Sequence, residues 1–388
     1  MRQLLFTLLL AVGLSSNAII REIRPLQMVE ADSIMLYDFF WCGAQRSADS
    51  IMGSVPRVWP YPMSVKSQET SAESLADWKR RLEEMRLEGA LTDSVRNVDE
   101  LLPLLRESVE LGLQTGQAYC FDVAERMLAN SVMRIWNFHL AWKWRHEELT
   151  QVMRSVGSMA YATRGRDIFI NMLMRSNVHV KNDEVDFCMQ VFNGSPWYND
   201  TSIRIAKDMS PIEQVVDTVL SPFHRLIVRE ESTDSVDLAF HIRIPSWTNG
   251  QDMLPRYTAQ CRKQPVIIMV NGSLYTPEMV DGYAVVKGRW AVGDLINVKF
   301  PTPILRVSDK QQPGMVALQR GPIVYYNYGD YERRHCHLNL KEPVSHYFDK
   351  DAHVIALKVV SENKYGKLKD VLFPYCHFGM QRIFMPTR

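Results

Sequence analysis

The chain lacks an excess of charge of either sign. Its 45 basic and 44 acidic side chains leave a formal net charge of +1. That balance excludes a general electrostatic grip on nucleic acid or on an anionic membrane surface. It also lacks a long apolar run beyond its first residues, so no segment reaches the length of about 18 residues that a membrane-spanning helix requires. Cysteine is sparse and scattered. Cys42, Cys120, Cys188, Cys261, Cys336 and Cys376 are never adjacent, which is unlike a disulfide scaffold. Buried free thiols with at most one bridge are expected. There is no internal repeat and no low-complexity tract. With 46% apolar and 23% charged residues the composition is globular.

The one apolar run present is N-terminal. Arg2, the stretch 4–14 and Ser16-Asn17-Ala18 form a basic start, a short apolar core and a small-x-small cleavage site. Residues 1–18 read as a secretory signal peptide, and the mature protein as exported, periplasmic or extracellular. No cysteine comes just after the cleavage point, so a lipid anchor is not indicated.

The 388 residues exceed one ordinary core. Apolar positions recur at helical spacing over about 72–87, 95–113, 118–136 and 147–162, with Pro103 either opening or kinking the second helix. From about residue 167 the period changes to two. Residues 168–173, 178–180, 185–192, 201–205, 236–244, 266–270, 283–287, 296–300, 316–318, 323–326, 354–359 and 371–378 read as strands. Residues 226–228 are a further candidate, and 211–220 read either as a short helix or as two strands. Asn271-Gly272, Asp281-Gly282 and Gly293-Asp294 are hairpin signals between apolar runs. The expected fold is α+β and multidomain: a helical domain at 19–165, a first β-sandwich module at 166–247 and a second at 248–388. The last strand is a candidate to return to the first module.

The densest chemistry-bearing stretch is 136–148. Trp136, His139, Trp142, Trp144 and His146 stand beside Glu147 and Glu148, and aromatics with polar neighbours suit a sugar-binding surface. The bland alternative is that the tryptophans cap a short helical core while the two glutamates fill a helix's first turn. Glu147, Glu148, Asp122 and Glu125 are the candidate catalytic carboxylates, since glycoside hydrolysis uses a facing pair. His335-Cys336-His337 with Cys376-His377 is weighed as a metal cluster against ordinary surface histidines. Its spacing is unlike the paired spacing of metal motifs, so no metal site is assigned.

Several of these segments, in order, resemble glycoside hydrolase family 127, the β-L-arabinofuranosidase-like enzymes. They are His241-Ile-Arg-Ile-Pro-Ser-Trp247, Val270-Asn-Gly272, Gly282-Tyr283 leading to Arg289-Trp290 and Gly293-Asp294, and the run from Val316 through Gln319-Arg-Gly-Pro322 to Tyr325. Upstream, Asp122-Val-Ala-Glu-Arg-Met-Leu-Ala-Asn130 is similar to a helix of the family's barrel. Ser155-Val-Gly157 with Tyr161-Ala-Thr163 is similar to the barrel's last helix. Asp38-Phe-Phe-Trp41 resembles the family's start, and Phe373-Pro-Tyr375 with 380–386 its closing strand.

The resemblance implies an (α/α)6 barrel followed by β-sandwich modules, a zinc-held cysteine nucleophile and a glutamate acid/base. The chain departs from that pattern at the chemistry. Trp144 and Arg145 stand about where the family has adjacent cysteines, and no Glu-x-Cys occurs near Asn97 and Asp99. The family's zinc is therefore not expected, and no cofactor is. Twelve helices with loops need roughly 200 residues, more than the stretch before residue 165 offers, so an abbreviated barrel remnant is expected.

The function expected is that of an exported, catalytically degenerate relative that binds an oligo- or polysaccharide or a partner chain. The alternatives are an active divergent glycosidase working through a carboxylate pair and an interaction protein with no sugar role.

Overall fold

The computed structural model describes residues 26–29, 34–36, 72–90, 101–134, 160–172, 176–193, 200–206, 235–250, 254–262, 264–327, 336–350, 352, 354–376 and 383–387. Among them the molecule is predominantly β. The three α-helices described are α1 (Ala72–Glu84), α2 (Leu102–Thr115) and α3 (Ala118–Met127), the last continued by a π-helical turn at Leu128–Val132. Pro103 lies in the first turn of α2, where a missing N–H costs nothing. Gly116, at φ 69, closes that helix in the left-handed region.

The strands begin with β1 (Gln27–Met28), β2 (Ile34–Leu36), β3 (Tyr161–Arg164), β4 (Asp167–Ile170), β5 (Ser176–Lys181), β6 (Asp186–Asn193), β7 (Asp200–Ala206) and β8 (Ser235–Arg243). They continue with β9 (Tyr257–Gln260), β10 (Ile267–Val270), β11 (Ser273–Tyr275), β12 (Glu278–Val280), β13 (Tyr283–Ala291), β14 (Leu295–Lys299) and β15 (Ile304–Asp309). The last are β16 (Met315–Arg320), β17 (Ile323–Asn327), β18 (His337–Leu338), β19 (Ser345–Asp349), β20 (Val354–Asn363), β21 (Gly366–Pro374) and β22 (Met385–Pro386).

Three sheets result among the described residues. The first has the order β1-β3-β4-β8-β13-β12 and the second β11-β10-β14-β7-β6-β5-β2. Phe187 of the second meets Phe240 of the first edge to face at 6.3 Å, so the two sheets share an apolar layer. The third runs β18-β20-β21-β17-β16-β15-β9, with β19 on β20 and β22 on β16.

The expected hairpins at 271–272 and 281–282 form. Asn271 and Gly272 have φ 49 and 82, and Asp281 and Gly282 have φ 50 and 87. Two successive left-handed residues match the twist of the flanking strands.

Three expectations meet a different outcome. The end of the fourth expected helix is the strand β3, which turns through Gly165 (φ 61) and pairs with β4 so that Ala162 faces Phe169. The small and β-branched residues of this stretch fit a pleated, buried position, and the Gly165-Arg166 turn signal outweighs the helical period. The pairing also crosses the expected 247/248 boundary. β13 pairs with β8 over nine residues and β14 pairs with β7, so the strands at 267–299 complete the first two sheets. Hairpin partners of the earlier strands lie after a third-sheet strand, β9, an interleaving that linear sequence does not show. The C-terminal strand β22 pairs with β16, in the third sheet. The segment 211–220, read as a short helix or two strands, and the candidate strand at 226–228 lie outside the described residues.

Candidate functional site

The site begins with β8. Its alternation places Leu238, Phe240 and Ile242 toward the second sheet, all buried. The opposite face carries Ala239, His241 and Arg243, and it is buried too, with Arg243 at 0% exposure. An arginine there requires acceptors that arrive with another element.

Helix α3 supplies them. Asp122 and Glu125 are three residues apart, so both carboxylates stand on one helix face. Arg243 donates through Nη1 to Asp122 Oδ1, and its Nη2 lies 3.0 Å from Glu125 Oε1. Its Nε donates to the carbonyl of Asn171. Trp247 Nε1 donates to Glu125 Oε2 at 3.1 Å, and the Ser246 amide donates to Asp122 Oδ2 at 3.4 Å. Tyr283 donates its hydroxyl to Asn171 Oδ1 at 2.8 Å. Asp122 and Glu125 are 7% and 1% exposed, and each of these contacts joins them to the protein itself.

The rest of α3 reaches elsewhere. Its first amide, of Ala118, donates to the carbonyl of Asp281 at 3.0 Å, in the β12–β13 turn. A Cβ at Gly282 would stand 2.6 Å from Ala118 Cβ, so glycine is needed there for close approach as well as for φ. Arg126 Nη1 donates to the Leu87 carbonyl at 2.9 Å and to Gln319 Oε1 at 3.2 Å. Asn130 sits on the π-helical turn. Its Nδ2 donates to the carbonyl of Pro322 at 2.9 Å, and its Oδ1 accepts from the Val324 amide at 2.9 Å. Ser131 donates to the Glu88 carbonyl at 2.8 Å. One helix thus bolts the first sheet to the third.

Two buried carboxylates share one buried guanidinium, and the electrostatics follow. Burial foremost pushes Asp122 up to about 7, against the pull of Arg243 and with a further push from Glu125. An aspartate ordinarily titrates near pH 3.9, so the folded chain holds a proton here that the unfolded chain releases. Stability from this group is complete below about pH 4 and is lost as pH rises to about 7. Asp122→Asn is expected to flatten that part of the stability-versus-pH curve. Urea midpoints measured from pH 4 to pH 8 check it, and a wild-type slope retained in the variant contradicts it.

The residues singled out from sequence fall in two groups. Asp122 and Glu125 are together on Arg243. Trp136, His139, Trp142, Trp144, His146, Glu147 and Glu148 lie outside the described residues. Arg243, Trp247, Asn130 and Gln319 form the arrangement around α3, although sequence reasoning gave them no role. The one signal for Arg243 was a charged residue at strand spacing beside an apolar alternation.

Among the cysteines, Cys120, Cys188 and Cys336 are buried and Cys261 is half-buried, all four outside any disulfide, and Cys376 is disulfide-bonded. Burial first of all pushes the Cys120 thiol up to about 12, so it is protonated at neutral pH. Among the described residues no three His, Cys, Asp or Glu side chains stand together as metal ligands. His335 and His377 are outside those residues. No helix among the described residues is long and apolar enough to cross a membrane.

Comparison with known proteins bears on the same regions. Residues 167–302 match the family model of the GH127 middle domain of beta-L-arabinofuranosidases. No curated protein matches the chain. Among solved structures, a GH127 β-arabinofuranosidase shares 19% identity at a TM-score of 0.58, covering 74% of this chain and 49% of its own. A GH127 β-L-arabinofuranosidase from Geobacillus stearothermophilus T6 shares 17% identity at a TM-score of 0.53, covering 74% and 48%. A further glycoside hydrolase shares 15% identity at 0.53, covering 74% and 52%. The chain spans about half the length of these structures. By its sequence at 167–302 and by its fold over most of the described strands, the chain resembles glycoside hydrolase family 127.

Proposed function

We propose that this is an exported protein that binds glycan without hydrolysing it, built on a shortened remnant of the family's helical barrel joined to β-sandwich layers. The observation that carries the reading is the commitment of Asp122 and Glu125. Both are engaged by Arg243, Ser246 and Trp247 in a buried cluster, which leaves them holding α3 in place. The sequence adds that Trp144 and Arg145 replace the family's adjacent cysteines, so a thiolate nucleophile is missing at that place. The bridge at Cys376 fits an oxidising compartment.

The glycan surface in this reading is the stretch with Trp136, His139, Trp142, Trp144 and His146, which follows α3 directly in the chain. Purified protein on a glycan array is expected to retain at least one plant-type oligosaccharide and to lose it in Trp142→Ala and Trp144→Ala. Retention unchanged in both variants contradicts this surface. Binding to no glycan at all favours an interaction protein with no sugar role.

The likeness to β-arabinofuranosidase structures favours one rival reading, an active glycosidase using Glu147 or Glu148. Turnover of an arabinofuranoside or galactoside that disappears in Glu147→Gln or Glu148→Gln establishes that rival.

A further inference from the structure

A second polar cluster lies at the far end of α3, and its charge balance is the reverse of the first. Arg134, half-buried, follows the π-helical turn. Its guanidinium lies over the Tyr375 ring, 4.4 Å from the centroid, and its Nη1 donates to the Tyr375 hydroxyl. Beside it, in the loop after α1, Arg86 Nε donates to the buried Glu88 at 2.8 Å. Glu88, Arg134 and Arg86 all act electrostatically on the Tyr375 hydroxyl, whose pKa is raised by burial first and then by Glu88. Arg256 grips the buried Asp309, with Nε 3.0 Å from Oδ1, and belongs to the same electrostatic neighbourhood through Glu88. Tyr257 stacks on Phe384 at 5.8 Å.

In this cluster Arg86 and Arg256 each hold a carboxylate. Arg134 meets none among the described residues. Its cation–π contact and its N–H to the Tyr375 hydroxyl anchor the guanidinium beside the ring. The remaining donors of the fork meet no acceptor among the described residues. A guanidinium anchored on a tyrosine and still presenting N–H groups can take an oxyanion through its fork. In sequence Arg134 stands two residues before the stretch 136–146 assigned above to glycan.

We infer that Arg134 and Tyr375 form a subsite for the carboxylate of an acidic sugar, so that the bound glycan is a uronic-acid-containing oligosaccharide. The inference rests on the glycan-binding reading and adds the charge of the ligand to it. The first cluster is no competitor for such a ligand, because its guanidinium is buried and already engaged by Asp122 and Glu125. Sulfate offers oxygens to the same fork, but a planar carboxylate matches two parallel N–H groups.

The test is titration calorimetry on the full chain with trigalacturonate, with a neutral arabinotriose and with inorganic sulfate as competitor. Trigalacturonate is expected to bind, and Arg134→Met to weaken it by roughly tenfold or more while the melting temperature stays close to wild type. Arg134→Lys, which keeps the charge and the stem but not the fork, is expected to fall between the two and serves if the methionine variant does not fold. Equal trigalacturonate affinity in wild type and Arg134→Lys or Arg134→Met overturns the subsite. So does full competition by sulfate at equal concentration. Binding of arabinotriose but not trigalacturonate overturns the subsite and leaves the glycan-binding reading standing. Binding of neither removes both.

Discussion

Arg243→Met is expected to lower stability by about 3–5 kcal/mol, the loss typical when one partner of a buried ion cluster is removed. The substitution keeps much of the side-chain volume and deletes only the guanidinium. Asp122 and Glu125 are then left inside the protein without their counter-charge, and the Asn171 carbonyl loses its donor. Equilibrium urea unfolding measures the effect. A second prediction separates charge from packing. Combining Arg243→Met with Asp122→Asn and Glu125→Gln is expected to recover part of the loss, because the triple variant buries no charge at this place. A single variant as stable as wild type means the cluster holds nothing.

Asn130→Ala is expected to cost about 2–6 kcal/mol, since each buried backbone group left without a partner costs about 1–3 kcal/mol. Two such groups are affected, the Pro322 carbonyl and the Val324 amide. The Asn130 side chain meets the backbone there as a neighbouring strand would. Proline at 322 has no N–H to offer a ladder, so a side-chain amide with one donor and one acceptor suits the gap. The same measurement applies, and Asn130→Asp sharpens it. The carboxylate keeps an acceptor for the Val324 amide but opposes the Pro322 carbonyl, so this variant is expected to be no more stable than alanine at neutral pH.

Much of the β architecture was legible because its signals are local. The nine-residue alternation of 236–244 forms a strand, and the two Asx-Gly pairs form the turns expected of them. The interleaving of sheets was not legible. β4 pairs in parallel with β8 across more than sixty residues of intervening sequence, and β13 with β8 past three strands of other sheets. Such pairings are decided by tertiary burial, which no window of sequence contains.

The candidate site shows the same division. That Asp122 and Glu125 share a face followed from helical spacing. That the face meets Arg243 did not, because their partner lies 121 and 118 residues away. Three of the motifs that carry the family resemblance share one role. His241–Trp247 contributes Arg243, Ser246 and Trp247, the 281–283 turn contributes Asp281, Gly282 and Tyr283, and 316–325 contributes Gln319, Pro322 and Val324. All but Tyr283, which bonds Asn171 beside Arg243, contact α3 or its π-helical continuation directly. The residues of these three motifs therefore hold a helix between two β layers.

Hydrogen exchange on α3 tests that account most directly. The amides of 118–134 are to be followed in wild type, in Arg243→Met and in Gln319→Ala, two substitutions on different sheets that both touch the helix only through side chains. The account predicts faster exchange along the same helix in both variants, with the effect centred near residue 122 for the first and near residue 126 for the second. Exchange that accelerates only in the substituted strand, with α3 as protected as in wild type, contradicts it.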